Sequence, residues 1–266
     1  MKVRWKQVKE ASLDSPKLVV SFPDVGFAGK QAVDYLVKEL KAELLAEGYS
    51  IHFPPHVIVK QEGIIEPLKC ELYGWKNPKG EGDLLILTGN AQPASPEGQY
   101  GMAQEALDKV EKLGVREVYS LTGYLVDFRS PDREPIVYVA ATRSEILRKL
   151  ADRFGLAQAD KGTIEGVQGT IIGEAKVRGL DGVCLLVETP GFSTPSGRMV
   201  VDAKASKALL KVLSRILGLE LDLSDLDRQA ALTEEFLERL ERLEQKFLEQ
   251  ALRSSRSYPK EKQYYV

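Results

Sequence analysis

Lys17-Leu-Val-Val-Ser-Phe-Pro-Asp-Val-Gly-Phe-Ala-Gly-Lys30 combines a short apolar run, a turn containing proline and glycine, and the start of a helical pattern. The run Lys17–Phe22 predicts a buried strand, and the pattern from Phe27 to Ala46 predicts a helix. A strand, a turn and a helix in this order are typical of α/β proteins. The first thirty residues therefore already favour a sheet covered by helices.

The same alternation continues along the chain. Further strands are predicted at Leu84–Thr88, Arg116–Thr122, Ile136–Ala140, Thr170–Gly173 and Val183–Glu188. Further helices are predicted at Glu97–Leu113, Arg143–Phe154 and Met199–Leu217. Val57–Lys60 and Lys69–Tyr73 are predicted to form an antiparallel pair against the edge or face of the main sheet. We expect an α/β fold with a mixed, largely parallel central sheet flanked by helices.

Length and composition limit the organisation of the chain and its partners. The sequence has 266 residues, of which 43% are hydrophobic, enough for one sizeable core. We predict an α/β domain at residues 1–223, an amphipathic helix at 224–253 and a flexible tail at 254–266. A formal net charge of -2 with dispersed basic residues argues against nucleic acid as a partner. The N-terminus has no signal-like apolar segment, and no run of eighteen apolar residues occurs, so we expect a cytoplasmic protein without membrane contacts.

The few cysteines and histidines give no sign of a metal or redox centre. Cys70 and Cys184 lie inside apolar runs, which is typical of buried structural thiols. His52 and His56 are separated by Phe-Pro-Pro, which prevents the helix that a metal-binding pair at this spacing uses. We therefore expect no metal site, no cofactor and no disulfide.

Three loops at predicted strand ends are expected to build one crevice, because α/β folds bind ligands at the carboxyl edge of the sheet. These loops are Phe22–Lys30, Thr88–Gln99 and Thr189–Gly197. Gly26–Lys30 resembles a phosphate cradle only loosely, and close packing under the first helix is the alternative. Five polar residues in or near these loops are considered as a catalytic set, namely Asp24, Glu188, Ser193, Ser196 and Asp202. No Gly-x-Ser-x-Gly motif supports it.

A long charged helix from Leu226 to Leu252 carries an apolar face. Phe236, Leu240, Leu243 and Phe247 are spaced four, three and four residues apart, which is the spacing of a short helical seam. The seam predicts that the helix joins copies of the chain into a homo-oligomer. The alternative is a C-terminal helix that docks on its own domain.

The last three residues, Tyr264-Tyr-Val266, follow a polar, proline-containing stretch. They offer an apolar anchor, an aromatic ring with a hydroxyl group and a terminal carboxylate, which suits docking into a partner's pocket. The alternative is a terminus whose rings fold back on the body. We predict a partner-binding motif of Tyr264, Tyr265 and Val266.

Several short motifs together resemble one family. They are Phe22-Pro-Asp-Val-Gly-Phe-Ala-Gly29, Leu87-Thr-Gly-Asn-Ala-Gln92, Leu121-Thr-Gly-Tyr124, Glu188-Thr-Pro-Gly191 and Asp202-Ala-Lys-Ala205. With them, residues 16–223 are similar to the proteasome assembly chaperone 2 family in its archaeal form. The resemblance implies a nucleoside-phosphorylase-like fold without catalytic residues, and an ATP-independent chaperone or adaptor of the proteasome.

The C-terminal motif resembles the hydrophobic-Tyr-any tail with which such factors enter pockets of the proteasome α-ring. The resemblance then implies that α-ring subunits are the partners, and it leaves open whether a paralogous chaperone subunit takes part. Two other hypotheses stay open at this point. One is a small-molecule hydrolase or phosphorylase that uses the crevice, and the other is a general holdase for unfolded proteins.

Overall fold

The computed structural model describes residues 3–80, 82–127, 130, 133–194, 197, 199–237, 239 and 242. The strands of this part of the chain are β1 (Arg4–Gln7), β2 (Lys17–Val20), β3 (Glu43–Tyr49), β4 (Val57–Val59), β5 (Ile65–Pro67), β6 (Cys70–Trp75), β7 (Leu84–Gly89), β8 (Glu117–Leu125), β9 (Val137–Ala141), β10 (Ala157–Gln158) and β11 (Asp181–Thr189). The helices are α1 (Ala28–Glu39), α2 (Pro96–Glu111), α3 (Ser144–Phe154), α4 (Gly166–Val177) and α5 (Ala203–Leu217). Residues 224–237 form a further helix, called the arm helix below.

The main sheet has a parallel centre and mixed flanks. Within the described residues its order is β1-β3-β6-β7-β2-β8-β11-β9-β10. The four neighbours β7, β2, β8 and β11 run parallel. On one side β6, β3 and β1 continue the sheet in antiparallel pairs, and on the other side β9 is antiparallel to β11. The predicted mixed α/β fold is confirmed, and the carboxyl ends of the four central strands meet at one edge.

Helices cover both faces of this sheet, because successive strand residues point to opposite sides. In β2, Leu18 and Val20 belong to the core shared with α2 and α4, whereas Val19 belongs to the core shared with α1, α3 and α5. All three side chains are fully buried. Burial of an aliphatic side chain of this size stabilises the fold by ~1.5–3 kcal/mol. The molecule is thus a three-layer sandwich with two apolar cores.

The first predicted helix is too long. α1 ends at Glu39, and the residues predicted as its last part form β3. The turn is made by Leu40 and Lys41, and Lys41 adopts a left-handed φ of 53° that no helix continues through. β3 then pairs with both β1 and β6. Pairing on two sides outweighs the helix preference of the Glu-, Leu- and Ala-rich segment.

The predicted strand Thr170–Gly173 is wrong, since it lies inside α4. Val167, Ile171 and Ala175 are fully buried at a spacing of four residues, which is the period of a helix face.

The predicted pairing of Val57–Lys60 with Lys69–Tyr73 is also wrong. β4 pairs with β5 in a separate two-stranded sheet, whereas β6 enters the main sheet between β3 and β7.

The last predicted helix starts later than expected. α5 begins at Ala203 instead of Met199, because the buried Asp202 side chain accepts a hydrogen bond from the Ala205 N–H at 3.0 Å and caps the first turn. β1 was not predicted, since Arg4–Gln7 carries almost no apolar signal.

Both cysteines are buried, as predicted, and both are free thiols in the structure. Burial raises the pKa of each thiol to about 12, so both stay protonated at neutral pH.

In the described residues, the helices are all too short or too polar to cross a bilayer.

In the described residues, the arm helix is buried against the domain at Leu226 and has polar contacts with it as far as Glu234. Leu226 is fully buried in the core that contains α1 and α5. Gln229 bonds to Gln31 at 2.6 Å, and Glu234 pairs with Lys204 at 3.3 Å. Two apolar side chains of the arm helix are exposed, Leu232 by 65% and Phe236 by 41%. The domain boundaries at 223 and 253 stay a prediction.

Candidate functional site

The described part of the molecule contains a crevice at the carboxyl edge of the sheet, where the sequence predicted one. Its volume is about 690 Å³. Its walls come from the loop after β2, the loop after β7, the end of β8 and the segment that enters α4. Residues of these walls include Asp24, Val25, Gln92, Tyr124, Glu165 and Gln168.

Asp24 organises the floor of this crevice. Its Oδ2 accepts hydrogen bonds from the N–H groups of Gly29 at 3.0 Å and Gly123 at 2.7 Å, and its Oδ1 accepts one from the N–H of Lys30 at 3.1 Å. Two of these donors belong to the first turn of α1, where a helix offers unpaired N–H groups to anions. A carboxylate of the chain itself therefore occupies the place that a phosphate cradle would use, and the close-packing interpretation of Gly26–Lys30 is the better one.

Two glycines allow the close contacts around Asp24. A Cβ atom at Gly29 would lie 2.4 Å from the carbonyl oxygen of Leu121, and one at Gly123 would lie 2.3 Å from the carbonyl oxygen of Val25. The obstacles are backbone atoms, which cannot rotate away as a side chain can. α1 and β8 approach each other here because neither glycine carries a side chain.

Two buried or partly buried glutamines hold the loop that leads to Asp24. Gln92 Nε2 donates to the Pro23 carbonyl at 2.6 Å, and Gln92 Oε1 accepts from the Val167 N–H at 2.9 Å. Gln168 Nε2 donates to the Phe22 carbonyl at 2.8 Å. The sequence motif Leu87–Gln92 includes Gln92 without a role for it, and Gln168 was missed because it lies just before the wrongly predicted strand Thr170–Gly173.

The third predicted loop contributes differently from expected. Described residues of Thr189–Gly197 are not among the crevice walls. Thr189 packs against Gly26 and donates to Asp202 Oδ2 at 2.8 Å, and the Asp202 N–H donates to the Gly26 carbonyl at 2.8 Å. This loop supports the Asp24 loop from behind, and the segment before α4 supplies the missing wall.

The polar residues considered as a catalytic set hold structural contacts in separate places. Glu188 accepts from the Ile136 N–H at 3.2 Å, the Tyr138 hydroxyl at 3.1 Å and the Arg133 guanidinium. Its backbone partner, Ile136, belongs to the segment before β9. Ser193 forms a bridge with Met199, and Ser196 lies outside the described residues.

The histidines are also engaged locally. His52 Nδ1 lies 3.1 Å from the Ser95 hydroxyl oxygen, which in turn accepts from the Gly98 N–H and caps α2. In the described residues, no three metal-ligating side chains come together.

Asp24 should give the protein a measurable pH dependence. Burial raises the pKa of its carboxyl group from 3.8 to about 6, against the opposing effect of the Gly29, Lys30 and Gly123 N–H groups. The folded state then holds a proton between about pH 4 and 6 that the unfolded state has lost. The contribution of Asp24 to stability is therefore greatest below about pH 4 and is lost as the pH rises through about 6.

The variant Asp24→Asn cannot titrate, so the comparison isolates this effect. We expect the unfolding free energy of the wild type, relative to Asp24→Asn, to be larger at about pH 5 than at about pH 7.5 in urea denaturation. If the difference in unfolding free energy between the wild type and Asp24→Asn is the same at both pH values, or larger at pH 7.5, the pKa of Asp24 is not raised in the folded state.

The sequence-predicted binding residues lie at the other end of the chain. Of the seam residues, Phe236 is the described one, and its side chain is 41% exposed on the arm helix. Leu240, Leu243 and Phe247 lie outside the described residues, as do Tyr264, Tyr265 and Val266. The seam and the docking motif remain predictions.

Comparison with known proteins identifies the family. A model described as the PAC2 family matches residues 18–241, which is most of the chain. The chain belongs to the PAC2 family. The PAC2 match includes the crevice, the three layers and the arm helix, and it confirms the resemblance found in the sequence motifs.

Relatives of this PAC2 protein include solved structures. The crystal structure of Pyrococcus furiosus PbaB, an archaeal proteasome activator, is 33% identical, covers 90% of this chain and 99% of its own, and superposes with a TM-score of 0.83. A structure of Pyrococcus furiosus PbaA, an archaeal homologue of proteasome-assembly chaperone, is 26% identical, covers 89% and 95%, and has a TM-score of 0.70. An uncharacterized protein of Methanocaldococcus jannaschii is 32% identical over 252 residues, which are 94% of this chain and 93% of that protein.

Proposed function

We propose that this PAC2 protein acts on the proteasome core particle as an ATP-independent assembly chaperone or activator in the cytoplasm. The observation that carries the proposal is the 33% identity to PbaB, an archaeal proteasome activator, over almost the whole of both chains. The structural contacts of Asp24, Glu188 and Asp202 agree with a role that uses no catalysis.

The contact with the proteasome is made by Tyr264, Tyr265 and Val266 in this proposal. Tyr265 places its ring between adjacent α-ring subunits with its hydroxyl paired, and Tyr264 fills the neighbouring apolar surface. The Val266 carboxylate meets a lysine of the pocket, a charge-assisted contact of ~1.5–3 kcal/mol. One motif of three residues is therefore a weak binder by itself.

Several motifs on one particle overcome this weakness. The exposed Leu232 and Phe236 side chains extend the apolar face of the arm helix beyond the point where Leu226 anchors it. We propose that Phe236, Leu240, Leu243 and Phe247 join copies of the chain into a homo-oligomer that presents several tails. Linked tails raise the effective concentration of one another at the ring.

Binding of the full-length protein to isolated α-rings tests the proposal. Co-sedimentation of the two should show saturable binding without ATP, and light scattering should show a particle larger than one chain. In Phe236→Ser, an exposed position whose change spares the core, the particle should dissociate and binding should weaken. A full-length protein that is folded and shows no binding would overturn the proposal, and a monomer that binds as tightly would overturn its oligomeric part.

A further inference from the structure

The crevice has the size and shape of a small-molecule site that the proposed proteasome contact does not use. Its volume of about 690 Å³ lies within the range of ligand pockets, roughly 300–1,000 Å³. It is placed at the carboxyl ends of parallel strands, where α/β folds bind their ligands. The docking motif, by contrast, lies beyond the arm helix.

One wall of the crevice carries a buried acceptor without a partner. Gln168 is 1% exposed, its Nε2 donates to the Phe22 carbonyl, and its Oε1 has no hydrogen-bond partner. The amide cannot be turned around, because the Phe22 carbonyl accepts only and requires the nitrogen on its side. An unpaired buried acceptor is unfavourable because it has given up its hydrogen bonds to water. A bound group with an N–H or O–H donor would satisfy this oxygen.

The charges of the lining residues indicate whether the bound donor group is cationic, neutral or anionic. Among the described residues that line the crevice, Asp24 and Glu165 are acidic and none is Lys, Arg or His. The N-terminus of α4 favours anions, but its Val167 N–H is already bonded to Gln92 and Glu165 stands at its start. Two carboxylates facing no basic side chain favour a cation and disfavour phosphate or carboxylate ligands.

The remaining walls suit an aliphatic stem. Val25, Leu125, Ile164 and Leu186 supply apolar surface, and the ring of Tyr124 supplies a face on which an ammonium group can lie. Tyr124 is 49% exposed, and it packs edge-to-face on Tyr138 with ring centroids 5.7 Å apart. The crevice thus combines acidic groups with apolar surface, which suits an aliphatic chain that carries ammonium groups.

We propose that the crevice binds a short aliphatic diamine. One ammonium group donates to Gln168 Oε1 near Asp24, the methylene stem lies along Ile164 and Leu186, and the second ammonium group is held by Glu165 and the Tyr124 ring. The ligand satisfies the unpaired oxygen and balances both carboxylates.

Calorimetric titration of the full-length protein with 1,4-diaminobutane tests this site. Its uncharged counterpart 1,4-butanediol has the same length and hydrogen-bonding ends, and inorganic phosphate has the opposite charge. We expect saturable binding of the diamine at one site per chain, and at least about tenfold weaker binding of the diol and of phosphate. Absence of diamine binding at millimolar concentrations, or equal binding of the diol, would overturn the proposal.

Matched variants locate the site. Glu165→Gln removes an exposed charge at the crevice and should weaken diamine binding about tenfold, whereas Glu145→Gln removes an exposed charge on α3 and should change nothing. Gln168→Met removes the unpaired oxygen and should weaken binding similarly; if it does not fold, Tyr124→Leu at the exposed rim replaces it. Equal affinity in Glu165→Gln and Glu145→Gln would sink the proposal. A chain without Tyr264–Val266 should bind the diamine unchanged, so this test is independent of α-ring binding.

Discussion

Removal of Tyr264, Tyr265 and Val266 should lower the affinity for α-rings by a factor of about 10²–10⁴. The expected loss is large because every copy in the proposed homo-oligomer loses its motif at once, and with it the avidity of linked tails. The fold should not change, because Leu226 and the two apolar cores lie upstream of the deletion. Equilibrium binding to immobilised α-rings measures the loss, and light scattering measures the particle size.

A tyrosine in the same tail provides the control. Tyr258 lies outside the motif, so Tyr258→Ala should bind as the wild type does, whereas Tyr265→Ala should resemble the deletion. If the deleted chain binds α-rings with unchanged affinity, the motif is not the contact. If Tyr258→Ala is as weak as Tyr265→Ala, the tail acts through its general aromatic character and the proposed roles of the three terminal residues are wrong.

Gly29→Ala should destabilise the protein by about 3 kcal/mol or more, although it adds one methyl group. The new Cβ would lie 2.4 Å from the Leu121 carbonyl oxygen and 2.6 Å from the Ser21 hydroxyl oxygen, so α1 has to move away from β8. That movement also separates the Gly29 N–H from Asp24. A cost of this size is a large share of the ~5–15 kcal/mol that stabilises a typical domain. Urea denaturation measures it.

A glycine in another helix serves as the control, because it shows the effect of a glycine-to-alanine change on helix stability without a clash. Gly173 lies in α4, and a Cβ there would meet nothing within 4 Å. Gly173→Ala should therefore stabilise the protein by about 0.5–1 kcal/mol, because alanine loses less backbone freedom on folding. Two changes of the same chemistry with opposite signs would establish that the close approach at Gly29 is the cause. Equal effects would contradict it.

Apolar runs predicted the centre of the sheet well, because its strands are buried on both faces. β2, β7, β8 and β11 all came from such runs. β3 was missed because Glu43–Tyr49 carries residues that favour helices, and only its pairing with β1 and β6 makes it a strand. α4 was misassigned because Thr170–Gly173 is too short to show a period of 3.6 residues by itself.

The crevice was placed at the correct edge, since strand direction determines where carboxyl ends meet. The residues that line the crevice could not be predicted as well as its position. The wall from the α4 segment depends on a helix that was predicted as a strand, so Gln168 had no assigned place. The sequence placed Asp24 in a turn and in a candidate catalytic set, but it could not show the structural role of Asp24, because the three backbone donors come from positions up to 99 residues away.

The anchoring of the arm helix at Leu226 has a mechanical consequence. In the described residues beyond Leu226, the Gln229–Gln31 amide contact and the Glu234–Lys204 ion pair join the arm helix to the domain. Polar contacts of this kind contribute ~0–1 kcal/mol each, so we expect a pull on the tail to unwind the arm helix towards Leu226 before the domain yields. Each residue that unwinds gains roughly 2 Å, the difference between ~1.5 Å in a helix and ~3.3–3.6 Å in extended chain. In the proposed homo-oligomer, copies would thereby reach binding positions at unequal distances, so the symmetry of that particle need not match the symmetry of the ring.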